Sequence, residues 1–448
     1  MLAGLFGASA SRAAAGPGDD PAPRRLPNVL VLTVDALRSD RLSGYGYRRP
    51  TSPAIDRLLA SGARFDAART VEPLTNPALC SLLTSLYPHR HGATRNGLRL
   101  RNGLDSLPRV LARRGYRTAA FVGSWVLANR ISGLGEHFDR YAEVLTRKRW
   151  FGMWKGEATA EDLTDAALTW LRDTADDARP FLLWVHYVEP HAPYRLQAPF
   201  APRLGIATHG EVTRSDRYDT EIAMADHHLG RLLAALDGDP RRRGAETLVV
   251  FTADHGESLG EHGYWGHGRD LHEPSLRVPL GFSWPGHVPA GTVESAPALL
   301  LDVAPTVLGL LGLRAPAAFQ GFDWAPVLSG AAAPPRARIS WFEAHRGAVL
   351  AAHESASARR SGLLAVGMLA GSRKEIVQLA ERRLIAFDLD HDPGETVPAP
   401  LPAAAPSARL ATWLAAVQQD LAAVDRLPAL PRLDAENLAR LRALGYAE

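Results

Sequence analysis

Short, β-branched apolar runs recur along this chain, separated by longer stretches in which apolar residues return every three to four positions. The runs at 29–34, 118–122, 181–187, 247–253 and 279–284 predict strands buried on both faces. The stretches at 53–61, 77–85, 104–114, 160–173, 218–236 and 298–311 predict helices. Their alternation from residue 27 to about residue 330 predicts an α/β architecture, a large, mainly parallel sheet flanked by helices. Ala331-Ala332-Ala333-Pro334-Pro335 reads as a linker. Beyond it, 338–342, 363–368, 374–379 and 383–388 suit a small antiparallel sheet. A Pro/Ala-rich stretch at 397–406 then precedes two predicted helices, 408–421 and 435–444. The expected organisation is a leader at 1–26, a large α/β domain at 27–330 and a small C-terminal subdomain at 336–448.

Composition narrows the function classes. At 448 residues, 46% hydrophobic and 22% charged, the chain has ordinary globular usage. A formal charge of +3, with no basic block interleaved with aromatics, gives no footprint for nucleic acid. The single cysteine, Cys80, excludes an internal disulfide framework. No apolar run reaches the roughly 18 residues of a transmembrane helix. The first 20 residues are Ala/Gly-rich without a basic start, and read as a disordered leader or an eroded signal peptide. Periplasmic, secreted and cytoplasmic locations all stay open.

Candidate chemistry gathers where strands end. The run 247–253 leads into Asp254-His255-Gly256-Glu257, and the run 29–34 ends on Asp35. Open α/β sheets bind ligands at that edge. A carboxylate beside an imidazole can hold a divalent ion; oxygen-rich donors favour calcium, magnesium or manganese, and added imidazoles favour zinc. The residues 258–268 keep offering glycines and histidines. In a third segment, 72–92, Pro77 fits the first turn of a helix with Asn76 as its cap. Thr75 then lies at a helix N-terminus, where unpaired N–H groups favour an oxyanion.

The segments 28–47 (NVLVLTVDALRSDRLSGYGY), 73–92, 181–194 (FLLWVHYVEPHAPY), 254–268, Arg277-Val278-Pro279 and 387–395 (FDLDHDPGE), in that order, resemble the sulfatase family of the alkaline phosphatase superfamily. The resemblance implies an alkaline-phosphatase-like fold and metal-dependent hydrolysis of sulfate or phosphate/phosphonate esters. It implies a divalent ion held by Asp35, Asp254 and His255, with Thr75 at the nucleophile position. It places His191 and His267 against the substrate's anionic group or leaving group. Glycan or lipid-headgroup esters are the implied substrate class, with specificity set by variable loops such as 145–156, where Trp150, Phe151 and Trp154 stand.

The chain departs from the family pattern in two places. Most active members resemble Cys-x-Pro-x-Arg, with the cysteine converted to formylglycine; here the residues are Thr75, Pro77 and Leu79. Cys80 does not restore the motif, because Leu82 and Thr84 follow it at the required spacings. Where many members resemble Gly-Lys-Trp-His, this chain has Gly123-Ser124-Trp125-Val126. A less positive anion pocket is therefore expected. Formylglycine hydrate expels sulfate by collapsing to an aldehyde, whereas a threonine adduct needs direct attack by water. Thr-dependent phosphodiesterases and phosphoethanolamine transferases in the superfamily use such an adduct, which sets phosphate and phosphonate esters beside sulfate esters. A phosphoethanolamine-type transferase and a decayed sulfatase-like binding protein are the alternatives.

Other histidines carry less. His89, His91 and His262 suit solvent-exposed positions as readily as a site. Asp226-His227-His228 lies in a helical pattern, where neighbours point about 100° apart and cannot converge on one ion.

Overall fold

The computed structural model describes residues 26–149, 154–238, 247–347, 362–401 and 405–424. Eight strands form the large sheet: β1 (Asn28–Val34), β2 (Ala63–Phe65), β3 (Arg117–Val122), β4 (Arg140–Glu143), β5 (Phe181–Tyr187), β6 (Thr247–Ala253), β7 (Leu280–Ser283) and β8 (Thr292–Glu294). Their order is β8-β2-β7-β6-β1-β5-β3-β4. β1 runs parallel to both β5 and β6, and β5 parallel to β3. Only β7 is antiparallel to its neighbours, so the sheet is mostly parallel with one reversed strand. Val29, Leu30, Val31 and Leu32 of β1 are wholly buried, as a strand covered by helices on both faces requires.

The register of β1 decides what leaves the sheet together. Thr33 pairs with His186 on one side and Thr252 on the other, and Val34 pairs with Tyr187 and Ala253. The next residues, Asp35 and Asp254, therefore emerge side by side at the carboxyl edge.

Helix ends follow local chemistry in two cases. Ala160–Asp173 begins at a capping box, in which Thr159 and Asp162 satisfy each other's backbone N–H groups. Arg214–Asp237 begins four residues before the predicted start at 218, because Thr213 and Asp216 make the same box. The helix predicted at 77–85 spans Thr75–Thr84, and all ten residues are buried. Asn76 is not its cap. Asn76 lies inside the first turn, its amide nitrogen donating to the Leu98 carbonyl at 2.8 Å. Its own N–H donates to Asn96 Oδ1 at 3.1 Å. A side chain twenty residues downstream thus satisfies a helix-start donor that a local cap would otherwise take.

A second sheet is antiparallel, with β9 (Ile339–His345), β10 (Leu363–Ala370), β11 (Arg373–Gln378) and β12 (Arg383–Asp388) in sequence order. The helix Ala408–Val424 follows it. Phe342, Ile376 and Phe387 from this sheet share a small core with Leu271, Leu276 and Leu301. Each such side chain contributes about 1.5–3 kcal/mol when fully buried. Ions reinforce the junction: Lys374, wholly buried, lies 2.9 Å from Glu273 and 2.7 Å from Glu395, and Arg69 lies 2.8 Å from Glu273. Burial alone would raise the Glu273 carboxyl, but Arg69 and Lys374 hold it well below the usual carboxylate range. No helix among the described residues is long and apolar enough to cross a membrane. The leader through residue 25, Trp150, Phe151 and the predicted helix 435–444 lie outside the described residues.

Candidate active site

Asp35 closes β1, its N–H donating to the Tyr187 carbonyl at 2.8 Å. Ala36 follows in the left-handed region at φ 56°, a conformation that costs a non-glycine residue of order 1 kcal/mol. Tertiary bonds hold it there. The Ala36 N–H donates to Asp254 Oδ1 at 3.0 Å, and its carbonyl accepts from the Tyr218 hydroxyl at 2.7 Å. Asp254 Oδ1 also accepts the His255 N–H at 2.8 Å. One oxygen of Asp254 is thereby spent on backbone, which fixes the direction of the other.

That second oxygen, Asp254 Oδ2, is buried without a hydrogen-bond partner, and so are Asp35 Oδ1 and His186 Nε2. His255 Nε2 lies 3.5 Å from both Asp35 Oδ1 and Asp254 Oδ2. Its Nδ1 is 2.8 Å from the Gly256 carbonyl, an atom that can only accept. Nδ1 therefore carries the proton, and Nε2 presents a lone pair to the carboxylates. Thr75 Oγ1 is 3.3 Å from the same Nε2. His186 Nε2 approaches Asp35 Oδ2 at 3.6 Å. Asp35, His186 and Asp254 offer donor atoms that all lie within 4.8 Å of one another.

The electrostatics have one sign. Burial pushes the Asp35 carboxyl well above its ordinary range, and the nearby charges of Asp254, Glu157 and Glu257 push it further. Burial likewise drives the His186 imidazole down to about 4, against the pull of Asp254. Buried, unpaired carboxylates are costly unless a cation or hydrogen bonds compensate them. Two carboxylates and neutral imidazoles aimed at one point fit a divalent ion.

Two further histidines stand beside this cluster. The His267 ring lies 4.1 Å from that of His255 and 5.2 Å from that of His191. His267 Nδ1 is 3.0 Å from Glu257 Oε1. Burial would lower the His267 imidazole, but the Glu257 carboxylate outweighs it and holds the group above its ordinary value. His191 Nδ1 donates to the Ala192 carbonyl at 2.8 Å.

The structure thus brings Asp35, Thr75, Asp254 and His255 together, with His267 and His191 adjoining. Sequence reasoning missed His186, Glu157 and Glu257. The available signal for His186 was a lone imidazole inside an otherwise apolar strand. Leu79 and Val126 are wholly buried and Ser124 nearly so, where the family pattern would carry polar or charged side chains. His89 and His91 are not exposed. His89 Nδ1 pairs with Glu343 at 2.5 Å, and His91 Nε2 meets Ser81 Oγ at 3.0 Å. Asp226 caps the helix Pro53–Ala60, accepting from the Ala54 and Ile55 N–H groups at 2.9 and 2.8 Å.

Cys80 sits in the buried helix, and burial alone pushes its thiol well above the ordinary range. Mass spectrometry of the peptide containing Cys80 is expected to show an unmodified thiol. An aldehyde there would overturn the alignment of Thr75 with the nucleophile position.

The sulfatase family model matches residues 27–313, well over half of the chain. The chain belongs to the sulfatase family. It is 24% identical over 412 residues to the N-acetylglucosamine-6-O-sulfatase of Bacteroides thetaiotaomicron, covering 69% of this chain and 72% of the relative. It is 28% identical over 370 residues to the N-acetylgalactosamine-6-sulfatase of Canis lupus familiaris, covering 71% and 68%. Among solved structures, the fold matches a complex with its substrate D-glucosamine-2-N,6-O-disulfate at a TM-score of 0.68 and 20% identity, over 90% of this chain and all of that one. It also matches the phosphonate monoester hydrolase of Silicibacter pomeroyi at 0.63 and 20%, over 92% and 98%. Membership brings the reaction class: this family member is an ester hydrolase of the sulfatase type.

Proposed function

We propose that this chain hydrolyses its ester through Thr75, with Asp35, Asp254 and His255 holding a divalent metal ion that His186 also reaches. The observation that carries the reading is Thr75 Oγ1 at a helix start, 3.3 Å from the His255 nitrogen around which the unpaired Asp35 and Asp254 oxygens converge. Calcium, magnesium or manganese suits the carboxylates, and the imidazoles admit zinc. Such an ion, when bound, polarises the ester oxygen and lowers the pKa of a nearby hydroxyl.

Thr75 then attacks sulfur or phosphorus, its proton passing to water. The new bond to Thr75 Oγ1 forms as the bond to the leaving alcohol oxygen breaks. His267, whose hold on its proton the Glu257 carboxylate strengthens, gives that proton to the leaving oxygen. His191, its ring 5.2 Å from that of His267, lines the space for the anion. In the second step His267 takes a proton from water as the water oxygen attacks the adduct; the bond to Thr75 Oγ1 breaks, and Thr75 regains from water the proton it gave up in the first step. Leu79, Ser124 and Val126 supply no charge to the anion, so singly charged esters are favoured over dianionic monoesters.

Phosphate diesters and phosphonate monoesters are the preferred substrates, because a threonine adduct is released only by direct attack of water, the route that Thr-dependent phosphodiesterases of the superfamily use. Alcohol groups on sugars are the class that the named relatives suggest. The test is a panel of sulfate, phosphomonoester, phosphodiester and phosphonate esters of one alcohol, assayed with divalent metal. The diester or phosphonate is expected to turn over fastest. A preference for the sulfate would overturn the argument from adduct breakdown while leaving the family assignment intact.

A further inference from the structure

A second group of donor atoms lies outside this site. His262, His272 and Glu395 present donor atoms within 4.8 Å of one another. They come from three separate places: the glycine- and histidine-rich segment after β6, the residue that starts the short helix Glu273–Leu276, and the segment after β12. We propose that His262, His272 and Glu395 form a binding site for a zinc-class divalent cation, distinct from the one beside Thr75.

The geometry is that of ligands rather than of a hydrogen bond. His272 Nδ1 lies 3.3 Å from Glu395 Oε2. Two bonds of about 2.0–2.1 Å at a tetrahedral angle set their ligand atoms about 3.3–3.4 Å apart. The buried His272 Nδ1 nevertheless makes no hydrogen bond, so the pair has the right distance and the wrong direction for one. Glu395 Oε2 accepts the Glu273 N–H at 2.6 Å, which fixes that oxygen beside His272 and leaves its second lone pair for an ion.

The third member supplies adaptability. The His262 ring is exposed and lies on the His272 ring, with centroids 4.0 Å apart and planes 16° apart. As an exposed side chain it can turn its lone pair toward the pair beneath. Two imidazoles and one carboxylate form a borderline donor set, matched to zinc more than to calcium or magnesium.

Two more observations support the site. His262 and Glu395 both stand in the left-handed region at φ 55°, and neither is glycine. Such strain collects where a ligand or a packed surround repays it. The charge is also arranged for a cation. Lys374 occupies the other Glu395 oxygen at 2.7 Å and also pairs with Glu273 at 2.9 Å, which Arg69 shares at 2.8 Å, so these four charges balance one another. Asp270 and Asp392 add negative potential at His262. Occupancy would tie the segment that carries His255 and His267 to Glu395, and so brace the catalytic histidines from outside.

The experiment uses the full chain, stripped with chelator and titrated with Zn2+, then with Co2+ as an absorbing probe. Wild type, His262→Ala, Glu395→Gln, Asp254→Asn and the double variant Asp254→Asn/His262→Ala are compared by bound metal per chain. The exposed His262 can be removed without opening the core. Asp254→Asn is expected to keep a zinc equivalent that His262→Ala loses, together with its Co2+ absorption bands. His262→Ala and Glu395→Gln are expected to bind zinc at least about tenfold more weakly than wild type, since losing even an outer-shell partner costs that much. An Asp254→Asn/His262→Ala protein that keeps the zinc equivalent of Asp254→Asn would overturn the proposal. So would an Asp254→Asn protein that binds no zinc. Failure of the Thr75 site would appear separately, as lost hydrolysis with this zinc equivalent retained.

Discussion

Thr75→Ala is expected to lower kcat/KM by at least about 10³-fold, because a nucleophile and the groups that activate it act as one unit. Thr75 is wholly buried, and its hydroxyl is the group that faces His255. Thr75→Ser keeps that hydroxyl and removes only a methyl group, so it should retain substantial activity. The contrast separates chemistry from packing, since loss of the methyl alone cannot produce it. Single-turnover assays on the fastest substrate, with thermal melts to show that both variants fold, provide the measurement. Equal rates for Thr75→Ala and wild type would remove Thr75 from the mechanism. Turnover of no ester by wild type, with tight binding of one, would favour the decayed binding protein.

Chelation is expected to abolish turnover, and added divalent metal to restore it. Two variants of Asp254 divide the cause. Asp254→Ala removes both the coordinating oxygen and the acceptor that holds the Ala36 and His255 N–H groups, so it should lose metal and stability together. Asp254→Asn keeps an acceptor at that position and removes the charge. It should fold but bind metal weakly. In wild type, metal at about 100 times its Kd should stabilise the fold by about 2.7 kcal/mol, visible as a raised Tm. That increment should vanish in Asp254→Ala, with metal content read by elemental analysis. The physical reason is the mutual repulsion of Asp35, Asp254, Glu157 and Glu257, which a cation relieves. Wild-type activity that survives exhaustive chelation would remove the metal from the reading.

The sequence by itself determined five of the eight strands of the large sheet and where acidic residues leave them; the short strands Ala63–Phe65, Arg140–Glu143 and Thr292–Glu294 carry no apolar run long enough to be read. The strands Phe181–Tyr187 and Thr247–Ala253 coincide with their predicted apolar runs, and the helix Ala160–Asp173 with its periodic stretch. A local pattern encodes which faces must be buried, so element type and the strand-end residues Asp35, Asp254 and His255 were legible. The ordered segments from 28–47 to 387–395 were enough to suggest the family. Tertiary structure alone decided the neighbours. Only the pairing of β1 with β6 sets Asp35 beside Asp254, and only its pairing with β5 brings in His186. Periodicity carries no information about which strand lies next to which, because register is fixed by contacts between residues far apart in the chain. The same reason explains Asn96 serving a helix start twenty residues upstream, and His89 and His91 being buried rather than exposed. Each depends on a partner that no window of sequence contains.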